Sequence, residues 1–411
     1  MMIELAQSAV RRSLATNVLI ALAAWVIAVI VYAFARNWDS EFAMFWAFGI
    51  TFGFVLQRGR FCFASAFRDI FLLGHARNMK GVLFGLAVGS VGFGLLMSQQ
   101  VPNTALSIYP STANVLPLGI HTALGGLLFG VGMVLAGGCV SGSIYRMGEG
   151  YIASWVAFLG VMGGLLGSAH TWNWWWRVHI ASAPRVWLPH WIGHSGALAV
   201  TLAALLVVYV VIVWWEHRAG LVLSERARPV ETPLSVSEHL RLVTGRIFVE
   251  GWPVVVAGGV LGVLNVLLFA VAEPWGFTGE VSRWSIRIAS FVDASPGPLA
   301  GVGFLPGCVL MPAEGLFFNH MVFLVWGMLF GSFATAVGAG EFKIRIPKRT
   351  VRYVQSLGGG IMMGYGSGIA MGCTIGAFFS AIPSLALNGW VFAVFLGLGA
   401  WIGTHAIRRI A

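Results

Sequence analysis

Two glycine-rich cysteine motifs are the feature of this chain best suited to chemistry. They read LAGGCVSG at 135–142 and IAMGCTIG at 369–376. The complete set of cysteines is Cys62, Cys139, Cys308 and Cys373. A thiol is a weak hydrogen-bond donor and a soft, polarizable acceptor. The sequence contains no CxxC and no cluster at metal-ligand spacing, so it predicts neither a metal site nor a cofactor; the number of cysteines allows disulfides, but their spacing gives no support for them.

The composition places these cysteines in a membrane protein. The chain has 411 residues, of which 58% are hydrophobic and only 10% are charged. A soluble protein of this length needs more charged surface. The net charge of +10 could indicate nucleic-acid binding, but the basic residues cluster between apolar runs, where they orient membrane helices. We therefore expect an all-α polytopic membrane protein with no nucleic-acid partner.

Ten apolar runs are long enough to cross a bilayer. The predicted spans are 15–35, 41–57, 80–98, 120–137, 151–169, 195–215, 252–272, 319–338, 353–371 and 388–405. The first run is too long for a cleaved signal segment, so we interpret it as a span. Basic residues near both ends, including Arg11 and Arg408, predict that both termini are cytoplasmic. Arg177, Arg185, Arg283 and Arg287 are the exceptions to this orientation.

Two further segments are too apolar for exposed loops and are not ordinary spans. They are 60–74, RFCFASAFRDIFLLG, and 300–318, AGVGFLPGCVLMPAEGLFF. Irregular backbone is tolerated at membrane depth only where protein buries it or where it lines a wet cavity. We predict that both segments are re-entrant, and the alternative is an amphipathic helix lying on the membrane surface.

The two cysteine motifs belong to an internal repeat. Without gaps, residues 125–144 (GGLLFGVGMVLAGGCVSGSI) match 359–378 (GGIMMGYGSGIAMGCTIGAF). The identical pairs include Gly125/Gly359, Gly126/Gly360, Gly130/Gly364, Gly132/Gly366, Gly138/Gly372, Cys139/Cys373 and Gly142/Gly376. The predicted topology gives the two copies opposite orientations in the membrane. Inverted repeats are typical of transporters and channels, whose path runs between the repeats.

Each copy is expected to break its helix just before the cysteine. A break within the membrane directs backbone amides and a partial positive charge at one point, which favours an anion. The candidate path residues are Cys62, Cys139, Cys373, Gly138, Gly372, Ser141 and Thr374. Further candidates are Cys308, Arg68 and Ser65; Arg68 either pairs with Asp69 or attracts the anion.

Three blocks of sequence resemble the YeeE/YedE family. They are RFCFASAFRD, GGLLFGVGMVLAGGCVSG and GIAMGCTIGAFFSAIP, in that order, within a resemblance that covers 41–170 and 300–405. Members are prokaryotic membrane proteins linked to thiosulfate uptake and, in some cases, to selenium metabolism. The resemblance implies an hourglass of two pseudo-symmetric halves, with short helices at the waist and Cys62, Cys139 and Cys373 along the path.

The predicted organisation is an additional span at 1–40, a first half at 41–170, connecting spans and a linker at 171–299, and an inverted second half at 300–411. The connecting part is similar to a longer, YedE-like branch of the family. The resemblance implies an inner-membrane transporter, not an enzyme, for thiosulfate or a related selenium species. The soft thiols would contact the terminal sulfur of such an anion.

Two alternatives remain open at this point. One is a membrane protein that relays thiol–disulfide exchange, which would need neighbouring thiols. The other is a subunit that anchors a soluble sulfurtransferase. The basic segment 341–352 orients the chain on the simplest interpretation, and docking of a cytosolic sulfur carrier is its alternative.

Overall fold

The fold is helical throughout the part of the chain that the structure describes. The computed structural model describes residues 2–106, 108–218, 245, 247–307, 309–312 and 319–410, with the side chains of 2–16 and 410 excluded. Within these ranges the only β-type pairs are isolated bridges. This confirms the predicted all-α polytopic class.

Long membrane helices alternate with short helices along the chain. The first seven helices are α1 (Met2–Trp38), α2 (Ser40–Gly59), α3 (Phe63–Leu72), α4 (Arg77–Gln100), α5 (Ile120–Ala136), α6 (Val140–Gly148) and α7 (Ile152–Trp175). The later ones are α8 (Pro189–Arg218), α9 (Val254–Val271), α10 (Thr278–Ser290), α11 (His320–Gly338), α12 (Val351–Ile369) and α13 (Leu387–Ile410). A short π-type helix, Thr374–Ser380, follows α12, and a π-type turn, Trp176–Ile180, follows α7.

The described helices agree with the predicted number of spans. Nine helices or continuous helix pairs are long and apolar enough to cross a membrane, and the bent pair Val351–Ile369 and Thr374–Ser380 brings the number to ten. Each predicted span coincides with one of these helices. The apolar runs located the spans because the thickness of the hydrocarbon layer sets the length of a membrane-spanning helix.

The first of the two expected re-entrant segments, 60–74, continues from α2 after a short break. Residues 63–72 form α3, which follows α2 after a three-residue break in a single candidate span, Ser40–Leu72. Arg60 adopts a left-handed conformation with φ of 45°, and Phe61 N still donates to Leu56 O at 3.0 Å. The turn at Arg60 interrupts the helix just before Cys62, and re-entry of 60–74 stays a prediction.

The second expected re-entrant segment, 300–318, lies partly outside the described residues, which omit 308 and 313–318. Its described part contains a 3-10 turn, Val302–Phe304, and two buried residues, Val309 and Leu310. Met311 N donates to Ser282 Oγ on α10 at 2.9 Å, which ties this part of the segment to α10. Re-entry of this segment stays a prediction.

Both repeated helices break where the repeat predicts. Helix α5 ends at Ala136, and Gly137 has φ of +79°; α12 ends at Ile369, and Met371 has φ of +59°. Gly137 and Met371 occupy the same position in the gapless alignment. A left-handed residue ends a helix by satisfying its last carbonyl groups in a tight turn. The two copies therefore share backbone geometry as well as sequence.

Glycines of the repeat let α5 and α12 cross in direct backbone contact. A methyl group added to Gly125 would lie 2.6 Å from Gly366 O, and one added to Gly366 would lie 2.6 Å from Gly125 O. The equivalent pair behaves alike, since a methyl on Gly132 would lie 2.5 Å from Gly359 O and one on Gly359 would lie 2.6 Å from Gly132 O. Such reciprocity is the signature of a twofold axis.

The pairing of the other helices follows the same symmetry. Helix α7 packs on α12 and α13 packs on α5, whereas α2 packs on α11 and α9 packs on α4. Exchange of α2 with α9, α4 with α11, α5 with α12 and α7 with α13 converts each pair into another observed pair. The short helices agree, because α3 contacts α13 and α10 contacts α7. We infer that the second half begins at α9, which is earlier than the boundary at 300.

Four polar side chains join the end of α2 to the segment after α11. Glu341 accepts from Gln57 Nε2 at 2.7 Å, Arg58 Nη2 at 2.8 Å and Arg60 Nη2 at 3.0 Å. Arg58 is 1% exposed, whereas Arg60 is 72% exposed. Burial acts to raise the pKa of Glu341, but the hydrogen bond from Arg60 and the charge of Arg58 outweigh it and lower the pKa.

Removal of the carboxylate of this cluster should be costly. Glu341→Gln leaves the buried Arg58 charge unpaired, and we expect a loss of about 2 kcal/mol in the free energy of unfolding. Arg60→Gln removes an exposed partner and should cost less than about 1 kcal/mol. Thermal unfolding in detergent measures both.

The pH dependence gives a further test of this cluster. Since the pKa of Glu341 is lowered in the fold, its contribution is present above the pKa of an unfolded carboxyl and is lost as the pH falls through the lowered value. The difference between wild type and Glu341→Gln should therefore shrink only in acid. Equal effects of the two substitutions at neutral pH would contradict the account.

The glycine contacts between α5 and α12 predict a second difference in stability. Gly359→Ala forces the helices apart at Gly132 and should cost about 1–3 kcal/mol, as overpacking does. Its neighbour Gly358 has no atom within 4 Å of an added methyl, so Gly358→Ala should be neutral or stabilising by up to about 1 kcal/mol. Apparent melting temperatures in detergent check this; a Gly359→Ala variant as stable as Gly358→Ala would argue against the close crossing.

Candidate functional site

Each described cysteine stands immediately before a short helix. Cys62 precedes α3, Cys139 precedes α6, and Cys373 precedes the short helix Thr374–Ser380. Cys139 Sγ accepts from Gly142 N, and Cys373 Sγ accepts from Ile375 N, each at 3.4 Å. A side chain in this position satisfies a first-turn amide that has no partner within its own helix. The thiols are thus held by the helix breaks themselves.

The structure brings Cys62 and Cys139 together. A methyl group on Gly142, in the first turn of α6, would lie 3.4 Å from Cys139 Sγ and 3.6 Å from Cys62 Sγ, so the two sulfur atoms border the same point. Ser141 Oγ lies 3.2 Å from Cys139 Sγ. Ser65, in the first turn of α3, interacts with the Cys62 thiol. We call Cys62 and Cys139 the thiol pair.

A cationic side chain lies beside the thiol pair. Arg146 Nη1 donates to Gly137 O in the helix break, and its Nε donates to Tyr145 Oη at 3.4 Å. A methyl group on Gly138 would lie 3.5 Å from Arg146 Nη1. A second cation borders the same break, because a methyl group on Gly137 would lie 3.3 Å from Arg352 Nη2. The break after α5 therefore places Cys139 in a cationic environment.

The surroundings of Cys373 are neutral and rich in hydroxyl groups. Thr374 and Thr278 are 0% and 1% exposed, and neither Oγ1 has a hydrogen-bond partner among the described residues. The Thr278 hydroxyl interacts with the Cys373 thiol, without reaching the geometry of a full hydrogen bond. Gly372 is tightly packed, because a methyl there would lie 2.8 Å from Ala377 N. Two unpartnered hydroxyls beside a thiol are suited to donate to an oxyanion.

Aromatic rings connect the short helices that follow Cys62 and Cys373. The Phe63 ring centroid lies 5.2 Å from that of Phe379 and 6.4 Å from that of Phe378. Phe67 also contacts Phe378, at 5.8 Å. The Trp275 ring lies between the halves, stacked on Phe52 at 3.9 Å. The short helices of the two halves therefore meet, as the family resemblance implied.

The remaining predicted site residues are Ser65, Arg68 and Cys308. Arg68 Nε donates to Asp69 Oδ1 at 2.8 Å and its Nη2 to Ser65 Oγ at 3.4 Å, so the predicted pairing with Asp69 is present. Cys308 lies outside the described residues. All three described cysteines are free thiols and are buried, with at most 2% exposure. No group of metal ligands is found among the described residues.

Sequence reasoning missed two neighbours of the thiols, Arg146 and Thr278. Arg146 was interpreted only as one of the basic residues that orient the membrane helices. Its position in the short segment directly after Cys139 was a usable clue. Thr278 follows Phe277 as Cys62 follows Phe61, but this correspondence depends on α9 belonging to the second half. The match of Phe61 and Cys62 with Phe277 and Thr278 was present in the sequence, but two positions are too few to be recognised as a repeat on their own.

Comparisons with known proteins agree with this architecture. The family model described as Sulphur transport matches residues 58–402. The thiosulfate transporter TsuA of Spirochaeta thermophila is 32% identical over 382 residues, which cover 86% of this chain and 95% of that protein. The thiosulfate transporter TsuA of Escherichia coli K12 is 29% identical over 367 residues, with 87% and 92% covered.

A shorter match reaches the other branch of the family. The probable transporter YedE of Salmonella typhimurium is 35% identical over 178 residues, or 42% of each chain. The match to the family model covers most of the sequence and includes every described cysteine. The chain belongs to the sulphur transport family, the YeeE/YedE family that its cysteine motifs resemble.

Proposed function

We propose that this protein carries a small sulfur-containing anion, such as thiosulfate, across a membrane along Cys62, Cys139 and Cys373. The observation that carries the proposal is the position of all three thiols at interruptions of membrane helices, two of them related by an inverted repeat. Both relatives that this chain covers almost completely are thiosulfate transporters, which supports the same class of substrate.

The helix breaks leave the thiol protons available for substrate. In the proposed mechanism Cys139 and Cys373 stay protonated, accept from a backbone amide and donate S–H to the terminal sulfur of the anion. An ionised thiol would repel an anionic substrate. The soft sulfur–sulfur contact replaces part of the hydration that the anion loses, and no covalent intermediate forms.

Hydroxyl groups complete the path by contacting the oxygen end of the anion. Thr374 lies beside Cys373 with an unpartnered hydroxyl, and Ser141 lies beside Cys139. Gly138 and Gly372 keep the breaks narrow enough for backbone contact. Several weak sites in series let an ion enter and leave, since one very tight site would trap it.

Passage requires movement of the waist. The thiols are buried, so the described conformation is closed around them. The aromatic contacts between Phe63 and Phe378 or Phe379 are candidates for the barrier, because they join the short helices without polar bonds. Rotation of one half against the other about the glycine crossing would open one side at a time.

Several finer assignments belong to this proposal. Residues 41–170 form the first half, and the second half ends at 411. The protein lies in the cytoplasmic membrane of a prokaryote with both termini in the cytoplasm, in keeping with the basic residues near its ends. A selenium analogue of the anion is an alternative substrate, and a cytosolic sulfur carrier or sulfurtransferase is the proposed partner at 341–352.

The contact between Cys62 and Cys139 favours a second candidate, thiol–disulfide relay. Neighbouring thiols are what such chemistry needs. Counting the alkylatable thiols of the purified protein separates the candidates: the transport proposal expects them to stay reduced and uptake to persist in reductant. A constitutive disulfide that is needed for activity would favour the relay.

Replacement of either repeated cysteine should stop transport without unfolding the protein. We expect Cys139→Ala and Cys373→Ala to reduce uptake of labelled thiosulfate to background in cells that lack their own transporter. Cys→Ser should also fail, since a hydroxyl does not reproduce the soft contact and costs more to bury. The stability cost of each change should be about 1 kcal/mol.

The matched control is Thr201→Val on α8. Thr201 is also a small, buried polar residue without a hydrogen-bond partner, but it lies outside the repeated helices. This variant should transport normally. If both alanine variants are expressed normally and support growth on thiosulfate as the sole sulfur source, the cysteines only fill space and the proposed path is wrong.

A further inference from the structure

The cation beside the thiol pair has no role in the path described so far. Arg146 lies on α6, and its side chain extends back towards the break, where Nη1 donates to Gly137 O. A methyl group on Gly138 would lie 3.5 Å from Arg146 Nη1, and one on Gly142 would lie 3.6 Å from Cys62 Sγ. The guanidinium and both thiols of the pair therefore surround the same break in the helix.

Arg146 is not neutralised by an ion pair among the described residues. Five other cations are paired there with acidic side chains: Arg58, Arg60, Arg68, Lys80 and Arg283. The hydrogen bonds of Arg146 go to neutral atoms, Gly137 O and Tyr145 Oη. Glu149 interacts with it at longer range without forming an ion pair in the described chain.

A half-buried guanidinium without an acidic partner is costly unless an anion compensates it. Arginine presents five donors in a planar fork, which matches the oxygens of an oxyanion. The described chain engages Nε and Nη1, and the fork retains donors at Nη2. The residue is therefore equipped to hold an anion next to the thiols.

The charge is present in only one half of the repeat. The gapless alignment places Ser380 at the position of Arg146. Ser380 is neutral and already bonded, since its Oγ donates to Trp275 O at 2.9 Å. The thiol pair is thus a cationic site, whereas Cys373 stands in a neutral one.

We propose that Arg146 is the counter-charge of the transported anion at the thiol pair, and that it binds the anion's oxygens while Cys62 and Cys139 face its terminal sulfur. This inference rests on the proposed transport function. It makes Arg146 a specificity-determining residue that favours anions over neutral sulfur compounds, and it makes the thiol pair the tighter of the two cysteine sites.

The first test is the kinetics of thiosulfate uptake. Arg146→Gln keeps a donor for Gly137 O but removes the charge, and we expect Vmax/KM to fall about tenfold or more, in line with a lost charged hydrogen bond. Arg146→Lys keeps the charge without the fork and should be intermediate. The effect should appear mainly in KM, whereas damage to the fold would lower expression and Vmax.

The matched control is Arg60→Gln. Arg60 stands two positions before Cys62 in the sequence, but its side chain is 72% exposed and is paired with Glu341. Its replacement removes the same charge from the same region and should leave Vmax/KM within about twofold of wild type. An equal loss in both variants would show that the general positive potential matters, which would overturn the assignment.

The second test does not depend on transport. Purified protein in detergent is treated with two methanethiosulfonates of similar size, one bearing a sulfonate and one a trimethylammonium group. Modification of Cys62 and Cys139 is followed by mass spectrometry, and each rate is divided by the rate for a small thiol in solution. The wild-type pair should favour the sulfonate reagent about tenfold, as nearby positive charge implies. Arg146→Gln should remove most of this preference, with the remainder due to Arg352 at the same break, while Arg146→Lys retains it.

The two tests separate failure of the inference from failure of the proposed function. If wild type takes up no thiosulfate but its thiol pair still favours the sulfonate reagent through Arg146, the transport proposal fails and the anion site stands. If wild type transports thiosulfate and Arg146→Gln changes neither KM nor the reagent preference, Arg146 only closes the helix break. The retained preference of Arg146→Lys keeps the second test decisive should Arg146→Gln fold poorly.

Discussion

The interruption of helices within an apolar layer is the constraint on which this structure depends. A break deprives backbone amides and carbonyls of partners, and hydrocarbon supplies none. Here Cys139 accepts from Gly142 N, and Arg146 donates to Gly137 O. The same side chains that satisfy the break are the ones that we propose bind a small anion. Structural necessity and binding chemistry thus coincide in a few residues.

The glycines of the repeat supply the second condition. The crossing of α5 and α12 is close enough that backbone oxygens occupy the space of a methyl group at Gly125, Gly132, Gly359 and Gly366. Close packing of small residues substitutes for the hydrophobic effect, which gives membrane helices little reason to associate. Since each contact has its inverse, the crossing brings the two breaks into related positions. Symmetry therefore arises from sequence through the distribution of glycine.

The halves have diverged in chemistry while keeping this geometry. One break holds two thiols beside Arg146; the other holds Cys373 beside the hydroxyls of Thr278 and Thr374. An anion moving between such sites would meet a neutral and a cationic environment in turn. With unequal sites of this kind, the strength of anion binding would differ from one end of the path to the other, while the form of the path stays the same.

The sequence predicted most of the helices because membrane thickness fixes their length and the repeat fixes two of their breaks. It also predicted that Cys139 and Cys373 stand at equivalent breaks. It did not predict the helix interruption at Arg60, which depends on one left-handed residue without any glycine signal. It also did not bring Cys62 to Cys139, or Arg146 to both, because these contacts depend on how α2, α3 and α6 pack. Such contacts join distant segments and leave no periodic signal in either one.

The most direct test of the account is the location of a bound substrate analogue. Selenosulfate replaces the terminal sulfur of thiosulfate with selenium, whose anomalous scattering identifies that atom in a crystal structure. The account predicts selenium peaks in contact with the thiol pair and with Cys373, and oxygens directed at Arg146 or at the threonine hydroxyls. Selenium bound only at the protein surface, or cysteines turned towards lipid, would contradict it.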